Sequence, residues 1–176
     1  VAEGLANLTS NEFFVMRLAK AIKLPVADVE LLHVPEPVLA IKRFDRRIVR
    51  HGVERLHVID GCQALGLAAG MKYERPYGDQ RDVKHIRDGA SLPVIFRLLE
   101  NTPFPAAQKL KFLKWVIFQI LTGNTDAHAK NISFFMSESG LVLAPAYDMV
   151  CCHPFAKAGA ALGGRMVEQM VDAYVT

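Results

Sequence analysis

The chain opens with a helical pattern of apolar and polar residues. The pattern predicts a helix from Thr9 to about Lys23, because apolar residues return every three or four positions and Pro25 disfavours helical geometry in the residue before it. Thr9 and Glu12 have the spacing of a capping box, which would place Thr9 at the N-cap. The residues predicted for the buried face are Phe13, Met16, Leu18, Ala19 and Ile22.

Two further segments repeat this helical period. Residues 92–100 are predicted to form a helix that tolerates Pro93 in its first turn. Residues 106–122 form the clearest predicted helix, and Gly123 ends it. Its predicted core-facing residues are Leu110, Leu113, Ile117, Ile120 and Leu121. A last apolar stripe, on a predicted helix over 165–174, consists of Val167, Met170, Val171 and Tyr174.

Segments rich in apolar and β-branched residues predict two hairpins. In the first, strands over 26–34 and 38–44 are joined by a turn that Pro35 and Pro37 force. In the second, strands over 132–136 and 141–143 flank a Ser-Glu-Ser-Gly turn.

The segments between the two hairpins are more polar. Residues 45–52 are predicted to be a polar, basic connection. Residues 60–70 are predicted to contain a short helix that Asp60 caps and Gly66 ends. Residues 73–89 hold a proline, two glycines and many charges, so we expect a surface loop there.

Size and composition indicate a folded domain. The chain has 176 residues and a hydrophobic content of 51%, which supports one sizeable core and argues against disorder. Its longest apolar runs are too short to span a bilayer, and its first residues lack the basic region of a signal peptide, so we expect a cytoplasmic protein. Cys62, Cys151 and Cys152 form an odd set, for which free thiols are the simplest interpretation.

Positive charge is concentrated near the end of the first predicted hairpin. The net charge is only +3, which does not by itself imply a nucleic-acid partner. The clustered basic residues are Lys42, Arg43, Arg46, Arg47, Arg50 and His51. Two interpretations stay open here: a solvated strand end and turn, or a basic patch beside a nucleotide or an acidic partner.

The main functional pattern is an Asp, an Asn and a second Asp around the second hairpin. Asp126 and Asn131 stand five residues apart, the spacing of Asp and Asn in a kinase catalytic loop, and Asp148 follows Asn131 by seventeen residues. Phosphoryl transfer to a hydroxyl needs a carboxylate beside the acceptor and oxygen ligands for magnesium. These three residues can supply both, while His128 and Lys130 add positive charge for the phosphoryl group.

Each of these residues also has a structural interpretation. Asp126 and Asp148 are suited to loops and caps, and Asn131 can bond its own backbone in a turn. A structural hydrogen bond explains His128 as well as a phosphate contact does, and Lys130 is consistent with a solvated side chain. The predicted helix before the loop and the hairpin after it favour the phosphotransfer interpretation.

The same residues resemble those of a known family. The stretch Leu121–Asn131 resembles the catalytic loop of the HipA family, serine/threonine protein kinases that act as toxins in bacterial toxin–antitoxin modules. The stretch Leu143–Asp148 resembles the magnesium-binding segment of that family. Three further stretches resemble it in the same order: Ala40–Arg47, which looks like the hinge strand between the lobes, Asp60–Leu67 and Met71–Glu74.

The resemblance implies an α+β, protein-kinase-like fold and a set of roles. Residues 1–44 would be the end of the small lobe and the hinge strand, and residues 45–176 the helical catalytic lobe, truncated at its C-terminal end. Asp126 would be the catalytic residue, and Asn131 and Asp148 would bind magnesium. The residues implied in ATP binding are Lys42, Arg43, Phe44, His128, Lys130 and Asn131.

The resemblance also implies a reaction and partners. The γ-phosphoryl group of ATP would pass to a protein hydroxyl, with a translation factor or an aminoacyl-tRNA synthetase as the kind of substrate. A small DNA-binding antitoxin is the implied partner, DNA is reached only through it, and no membrane is involved. HipA-like kinases are longer, and the glycine-rich loop and ATP-binding lysine that precede their hinge have no counterpart here. We therefore expect this chain to represent part of a kinase.

Two alternatives remain open. A small-molecule phosphotransferase of the aminoglycoside or choline kinase type has a similar Asp and Asn loop. A noncatalytic kinase-like module would instead bind an antitoxin partner. The hinge-like stretch and the Asp60–Leu67 stretch favour the HipA-like interpretation.

Overall fold

Residues 8–155 are described by the computed structural model of the protein, and they form two compact units. The first unit combines residues 8–43, 114–127 and 145–155, and the second combines residues 44–113 and 128–144. Mixed helix and antiparallel sheet confirm the α+β expectation. The predicted division into a small-lobe end at 1–44 and a catalytic lobe at 45–176 stays a prediction.

Helix α1, Leu8–Ala21, begins the first unit. Its end has the hydrogen bonds of a Schellman motif, because Leu24 donates its N–H to the Ala19 carbonyl oxygen at 3.0 Å and Lys23 donates to Lys20 at 3.0 Å. Lys23 takes the left-handed conformation that glycine usually occupies, with a φ of 62°. The buried residues of α1 are Val15, Met16 and Ala19.

Two details predicted for α1 are wrong. Leu18 and Ile22 are exposed, because apolar residues lie on more than one face of this helix and the buried stripe is narrow. Thr9 lies inside the first turn and not before it, so it does not act as the N-cap of a capping box with Glu12.

The first predicted hairpin follows α1 and is confirmed as a hairpin, but the predicted turn is too long, because Pro37 lies inside the second strand opposite His33. Strands β1, Val29–Val34, and β2, Glu36–Ile41, pair antiparallel with Val29 opposite Ile41. Just before β1, Ala27 donates to the Ala146 carbonyl oxygen at 2.9 Å, and Ala146 donates to Pro25 at 2.8 Å. These two bonds attach the segment that leads to Asp148 firmly to the core of the first unit.

The second unit contains two small antiparallel sheets. Strands β3, Arg46–Val49, and β4, Gly52–Arg55, form a separate ribbon, so the expectation of a plain polar connection over 45–52 is wrong. Strands β5, Val58–Asp60, β6, Ser133–Ser137, and β7, Gly140–Leu143, form a three-stranded sheet in that order. Its β6–β7 hairpin is the predicted second hairpin.

The helices of the second unit largely follow the sequence pattern. Helix α2 is the single turn Gly61–Ala64, capped by Asp60 and followed by the left-handed Gly66, as predicted. Helix α3 is Leu92–Glu100. The long helix α4, Pro105–Leu121, begins in the second unit and ends in the first.

The predicted buried face of α4 is wrong. Leu110, Leu113, Ile117 and Leu121 are exposed, and Ile120 is only half-buried. Apolar side chains occupy most of the circumference of this helix, so their period does not identify the buried side. The residues that are buried instead are Gln108, Phe112, Trp115, Val116, Phe118 and Gln119.

The predicted helix over 165–174, with its apolar stripe, lies outside the described residues. Within residues 8–155, no helix is long and apolar enough to cross a bilayer. Cys62, Cys151 and Cys152 are free thiols, as expected.

Candidate active site

The loop that carries Asp126 starts from the C-terminal end of α4. Gly123 adopts a left-handed conformation with a φ of 64°, and Asn124 donates its N–H to the Gln119 carbonyl oxygen at 2.9 Å. This is again the Schellman arrangement, which ends a helix sharply and favours glycine at the left-handed position. The loop therefore leaves the helix in a fixed direction.

A pair of buried amides supports this loop. Asn124 donates from Nδ2 to Oε1 of Gln119 at 2.9 Å, and the two side chains are fully buried. The Oδ1 atom of Asn124 accepts the backbone N–H of Asp126 at 3.1 Å. The Asp126 side chain itself is exposed. The loop thus combines a buried, hydrogen-bonded base with a carboxylate that solvent or a substrate can reach.

The segment after Asp148 is attached to both α1 and the loop. Asn11 donates from Nδ2 to the Cys151 carbonyl oxygen at 3.2 Å, and its Oδ1 accepts the Cys151 N–H at 2.8 Å. Cys152 donates its N–H to the Gly123 carbonyl oxygen at 3.2 Å. Asp148 is exposed and has a φ of 56°, a left-handed conformation that Asp tolerates better than most residues. The first unit therefore holds the Asp148 segment from two sides.

Glu12 is a third acidic residue of this region. Its place in the sequence left two interpretations open, a capping-box residue or the helix acid that pairs with the ATP-binding lysine of kinases. Burial and, as the smaller cause, the nearby negative charge of Asp148 together raise the pKa of Glu12 from 4.5 to about 7. The capping-box interpretation is wrong, because Thr9 lies inside α1, and Glu12 instead feels the charge of Asp148. The sequence did contain one signal of this role: Glu12 has no basic residue three or four positions away on the same helix.

His128 and Asn131 lie in the second unit, around a short turn of 3₁₀ helix, Ala129–Asn131. The backbone N–H of His128 donates to Oδ1 of Asn131 at 3.0 Å, and the Asn131 N–H donates to the His128 carbonyl oxygen at 2.9 Å. Both side chains are buried. The ring of Tyr73 packs edge-on against His128 with 5.3 Å between ring centroids.

The same turn packs closely against α2 and the segment before the surface loop. Ala129 donates its N–H to the Lys72 carbonyl oxygen at 3.1 Å. A Cβ atom at Gly61 would lie 2.5 Å from the Ala129 carbonyl oxygen, so only glycine fits there without a backbone shift. Burial and the Asp60 carboxylate raise the pKa of the Cys62 thiol, whereas the charges of Lys130 and Lys72 oppose that shift. Lys72 therefore adds a cation near Lys130 that the sequence interpretation did not single out.

The three residues predicted to line the adenine side are divided between the two units. Lys42 and Arg43 are exposed and belong to the first unit, where the Lys42 N–H donates to the Asp28 carbonyl oxygen at 2.8 Å. Phe44 belongs to the second unit and packs edge-on against Phe135 with 5.8 Å between ring centroids. Their contact with a nucleotide stays a prediction.

The predicted site residues are thus divided between the units. Asp126 and Asp148 lie in the first unit, and His128, Lys130 and Asn131 lie in the second. Within residues 8–155, no cluster of three or more His, Cys, Asp or Glu side chains could hold a metal ion. Magnesium commonly takes only one or two protein ligands and completes its shell with water and phosphate oxygens. The amide oxygen of Asn131 and the carboxylate oxygen of Asp148 are each of the donor type that magnesium prefers.

An Asp and an Asn five residues apart, followed by a second Asp, is the order of polar residues in the catalytic loop and metal-binding segment of kinases. A solved structure with this fold is that of the Helicobacter pylori proinflammatory kinase CtkA. The match has a TM-score of 0.58 at 19% identity and covers 84% of this chain and 49% of that chain. It supports a fold of the kinase type.

The chain belongs to the family of HipA-like C-terminal domains, whose family model matches residues 2–172. This membership confirms the resemblance seen in the sequence. The chain is 46% identical over 151 residues to the serine/threonine-protein kinase toxin HipA of Shewanella oneidensis. The alignment covers 84% of this chain and 35% of the relative.

Two further comparisons agree. The solved complex of Shewanella oneidensis HipA, HipB and its operator DNA matches with a TM-score of 0.80 at 46% identity, covering 83% of this chain and 35% of that chain. A putative kinase of Sinorhizobium fredii, Y4mE, is 39% identical over 145 residues, or 81% of this chain and 32% of the relative. The chain spans about a third of the length of these curated relatives.

Proposed function

We infer that the chain is the catalytic region of a HipA-like serine/threonine protein kinase, the toxin of a toxin–antitoxin system. The observation that carries this inference is the Asp126 loop, built on a buried base, in a member of the HipA-like family. The kinase acts in the full-length protein, of which this chain supplies the phosphotransfer residues.

Asp126 is the catalytic residue of this proposal. Its exposed carboxylate orients the acceptor hydroxyl and accepts its proton as the new O–P bond forms. Asn124 holds the Asp126 backbone, so the carboxylate is positioned before the substrate arrives. Such positioning lowers the entropic cost of bringing the hydroxyl and the phosphoryl group together.

Asn131 and Asp148 are the magnesium ligands of this proposal. The Asn131 side-chain oxygen accepts the His128 backbone N–H, and an amide oxygen is a type of ligand that hard cations such as magnesium take. The Asp148 carboxylate is exposed and held on a fixed backbone turn. When bound, magnesium neutralises negative charge on the phosphates during transfer.

The nucleotide is bound by residues from both hinge and loop. Lys42, Arg43 and Phe44 line the adenine side, and Lys130 and His128 face the phosphates. Lys130 is exposed on its turn, while His128 is buried and fixed by Asn131, so the two differ in role. Lys130 supplies positive charge to the phosphates, and His128 positions the turn that carries Asn131.

The antitoxin partner of this proposal is a small DNA-binding protein. The Shewanella oneidensis relative was solved with HipB and operator DNA, which supports a partner of this kind. DNA is then reached through the antitoxin, and the substrate is a protein of translation, such as a translation factor or an aminoacyl-tRNA synthetase.

A transfer assay with γ-labelled ATP on the full-length protein tests the proposed reaction. We expect label in protein serine or threonine, including the kinase itself, only when magnesium is present. Asp148→Asn should remove this label, because it weakens a magnesium ligand. Label on an aminoglycoside or choline, with none in protein, would instead favour the small-molecule phosphotransferase.

A further inference from the structure

The β3–β4 ribbon is an exposed element of the second unit. Every residue of the two strands except Arg46 is exposed. At the base of the ribbon, Leu56 donates its N–H to the Asp45 carbonyl oxygen at 3.0 Å. Phe44, the residue before it, packs edge-on against Phe135 of β6. The ribbon is therefore anchored at its base while its faces are open to solvent.

One face of this ribbon has an apolar centre. Ile48 lies directly opposite Val53, and Arg46 lies directly opposite Arg55. Because alternate residues of a strand point to the same face, these four side chains share one face of the ribbon. Ile48 is 88% exposed and Val53 is 60% exposed. We call these four residues, together with Arg50 in the turn, the arginine-flanked face.

The charge of this region is not balanced within it. Residues 42–57 contain six Lys or Arg and two acidic residues, so their net charge exceeds the +3 of the whole chain. Both acids are already engaged, Asp45 with Arg46, and Glu54 with Arg47 at 2.6 Å. Arg50 and Arg55 make no ion pair with any residue in the part of the chain that the structure describes.

These features oppose the stability of an isolated ribbon. Arg55 lies directly opposite Arg46, and like charges in this arrangement destabilise an antiparallel pair, although the ion pair of Arg46 with Asp45 reduces this cost. A cross-strand pair of β-branched side chains stabilises a ribbon best when other side chains cover it. Ile48 and Val53 are such a pair, and they are exposed. A partner that covers Ile48 and Val53 and brings carboxylates to the arginines removes both costs together.

We propose that the arginine-flanked face docks an acidic protein segment in which an apolar side chain lies between carboxylates. The apolar side chain packs on Ile48 and Val53, and the carboxylates pair with Arg50 and Arg55. Arginine suits this task, because its planar guanidinium binds a carboxylate through two parallel hydrogen bonds. None of these residues belongs to the proposed phosphotransfer set, so the docking surface is an addition to that function.

A protein segment fits this face better than a nucleic acid does. Phosphates alone would engage the arginines and leave the apolar pair in water. An apolar centre with a charged rim rich in arginine is the usual anatomy of a protein–protein interface. β3, β4 and their turn contain four fully charged basic residues. All four are arginines.

Fluorescence anisotropy on the full-length protein tests this surface. The probe is a short labelled peptide with leucines between Glu and Asp, compared with the same peptide carrying Ser for Leu and with a short DNA duplex. We expect the leucine peptide to bind most tightly. The double variant Arg50→Glu, Arg55→Glu should weaken peptide binding at least about tenfold. The double variant Ile48→Thr, Val53→Thr should weaken it about tenfold. Threonine keeps the β-branched shape and the strand propensity.

The matched control is Lys111→Glu with Lys114→Glu on α4, which makes the same change in net charge at two exposed positions. It should leave peptide affinity within about twofold. Three results would overturn the proposal. The first is no binding of the leucine peptide, and the second is a duplex that binds more tightly than the peptide and whose affinity does not change in the Ile48→Thr, Val53→Thr variant. The third is a loss of peptide affinity in the α4 control as large as that in the arginine variant.

Discussion

At the scale of single residues, side-chain amides hold the candidate site in place. Asn124 connects the buried Gln119 to the backbone of Asp126, and Asn11 holds Cys151 through two hydrogen bonds. Asn131 likewise accepts the backbone N–H of His128. Asn124 is buried and bonded at both ends of its amide, which fixes the backbone direction of the loop, because leaving either end unpaired is costly. Exposed carboxylates are thereby carried on rigid supports.

Asn124→Ala should separate the support of the loop from its chemistry. Loss of the amide leaves the buried Gln119 Oε1 without its donor, so we expect a loss of stability of about 1–3 kcal/mol. In the full-length protein, the kcat of the proposed phosphoryl transfer should fall about tenfold or more while the KM for ATP changes little, because the substitution misplaces Asp126 and leaves the proposed nucleotide contacts in place. Thermal unfolding and steady-state kinetics measure the two effects.

Asn101→Ala, at an exposed position after α3, is the control for this change. It removes the same kind of side chain and should alter stability by less than about 0.5 kcal/mol. Equal effects of the two substitutions would show that Asn124 has no special role.

Glu12 predicts a pH dependence of stability. Its pKa is raised to about 7 in the folded protein, from 4.5. The folded form therefore holds a proton that the unfolded chain has already released, and stability should fall as pH rises from about 5 to about 7. The change across this window is on the order of 2–3 kcal/mol, at about 1.4 kcal/mol per pKa unit, less a reduction for partial solvent exposure.

Glu12→Gln should remove this pH dependence, because glutamine does not titrate. Unfolding temperatures measured without metal between about pH 5 and pH 8 test it. Glu138→Gln, at an exposed hairpin turn, should retain the wild-type slope. A Glu12→Gln variant with the same slope as the wild type would mean that another group is responsible.

At the scale of elements, the loops and turns around the site were more predictable than the packing of the helices. Gly66 and Gly123 ended their helices as predicted, because a left-handed residue after a helix leaves a clear signal in the sequence. The buried face of α4 was not predictable, since apolar residues surround that helix and only tertiary contacts select a side. The β3–β4 ribbon was missed because its arginines resemble a solvated connection.

Gly61→Ala tests the packing of α2 against the turn that carries Asn131. The new Cβ would lie 2.5 Å from the Ala129 carbonyl oxygen, so the backbone of that turn has to move. We expect a loss of about 1–3 kcal/mol and weaker binding of magnesium-ATP by the full-length protein. Calorimetry and thermal unfolding measure the two quantities.

Gly70→Ala is the matched control, because a Cβ there meets nothing within 4 Å. It should be neutral, or slightly stabilising, since alanine restricts the unfolded chain more than glycine does. A Gly61→Ala variant as stable and as active as Gly70→Ala would contradict the close packing.

At the scale of the whole molecule, the sequence motifs were sufficient to identify the family but not the architecture. The loop, the Asp148 segment and the hinge-like stretch led to the HipA family, and the family model confirms this over residues 2–172. The two units each combine segments that are far apart in sequence, such as α1 with the Asp148–Cys152 segment. Contacts of this range depend on side-chain fit, which no local pattern encodes.

Asp126 is the residue on which the proposed phosphoryl transfer depends most directly. The most direct measurement compares phosphoryl transfer and magnesium-ATP binding in the full-length protein for Asp126→Ala and for Asp88→Ala, a matched change in an exposed loop. We predict that Asp126→Ala lowers the transfer rate about 100-fold to 10,000-fold with nucleotide affinity nearly unchanged, while Asp88→Ala changes neither. Wild-type transfer by the Asp126→Ala protein would contradict the account.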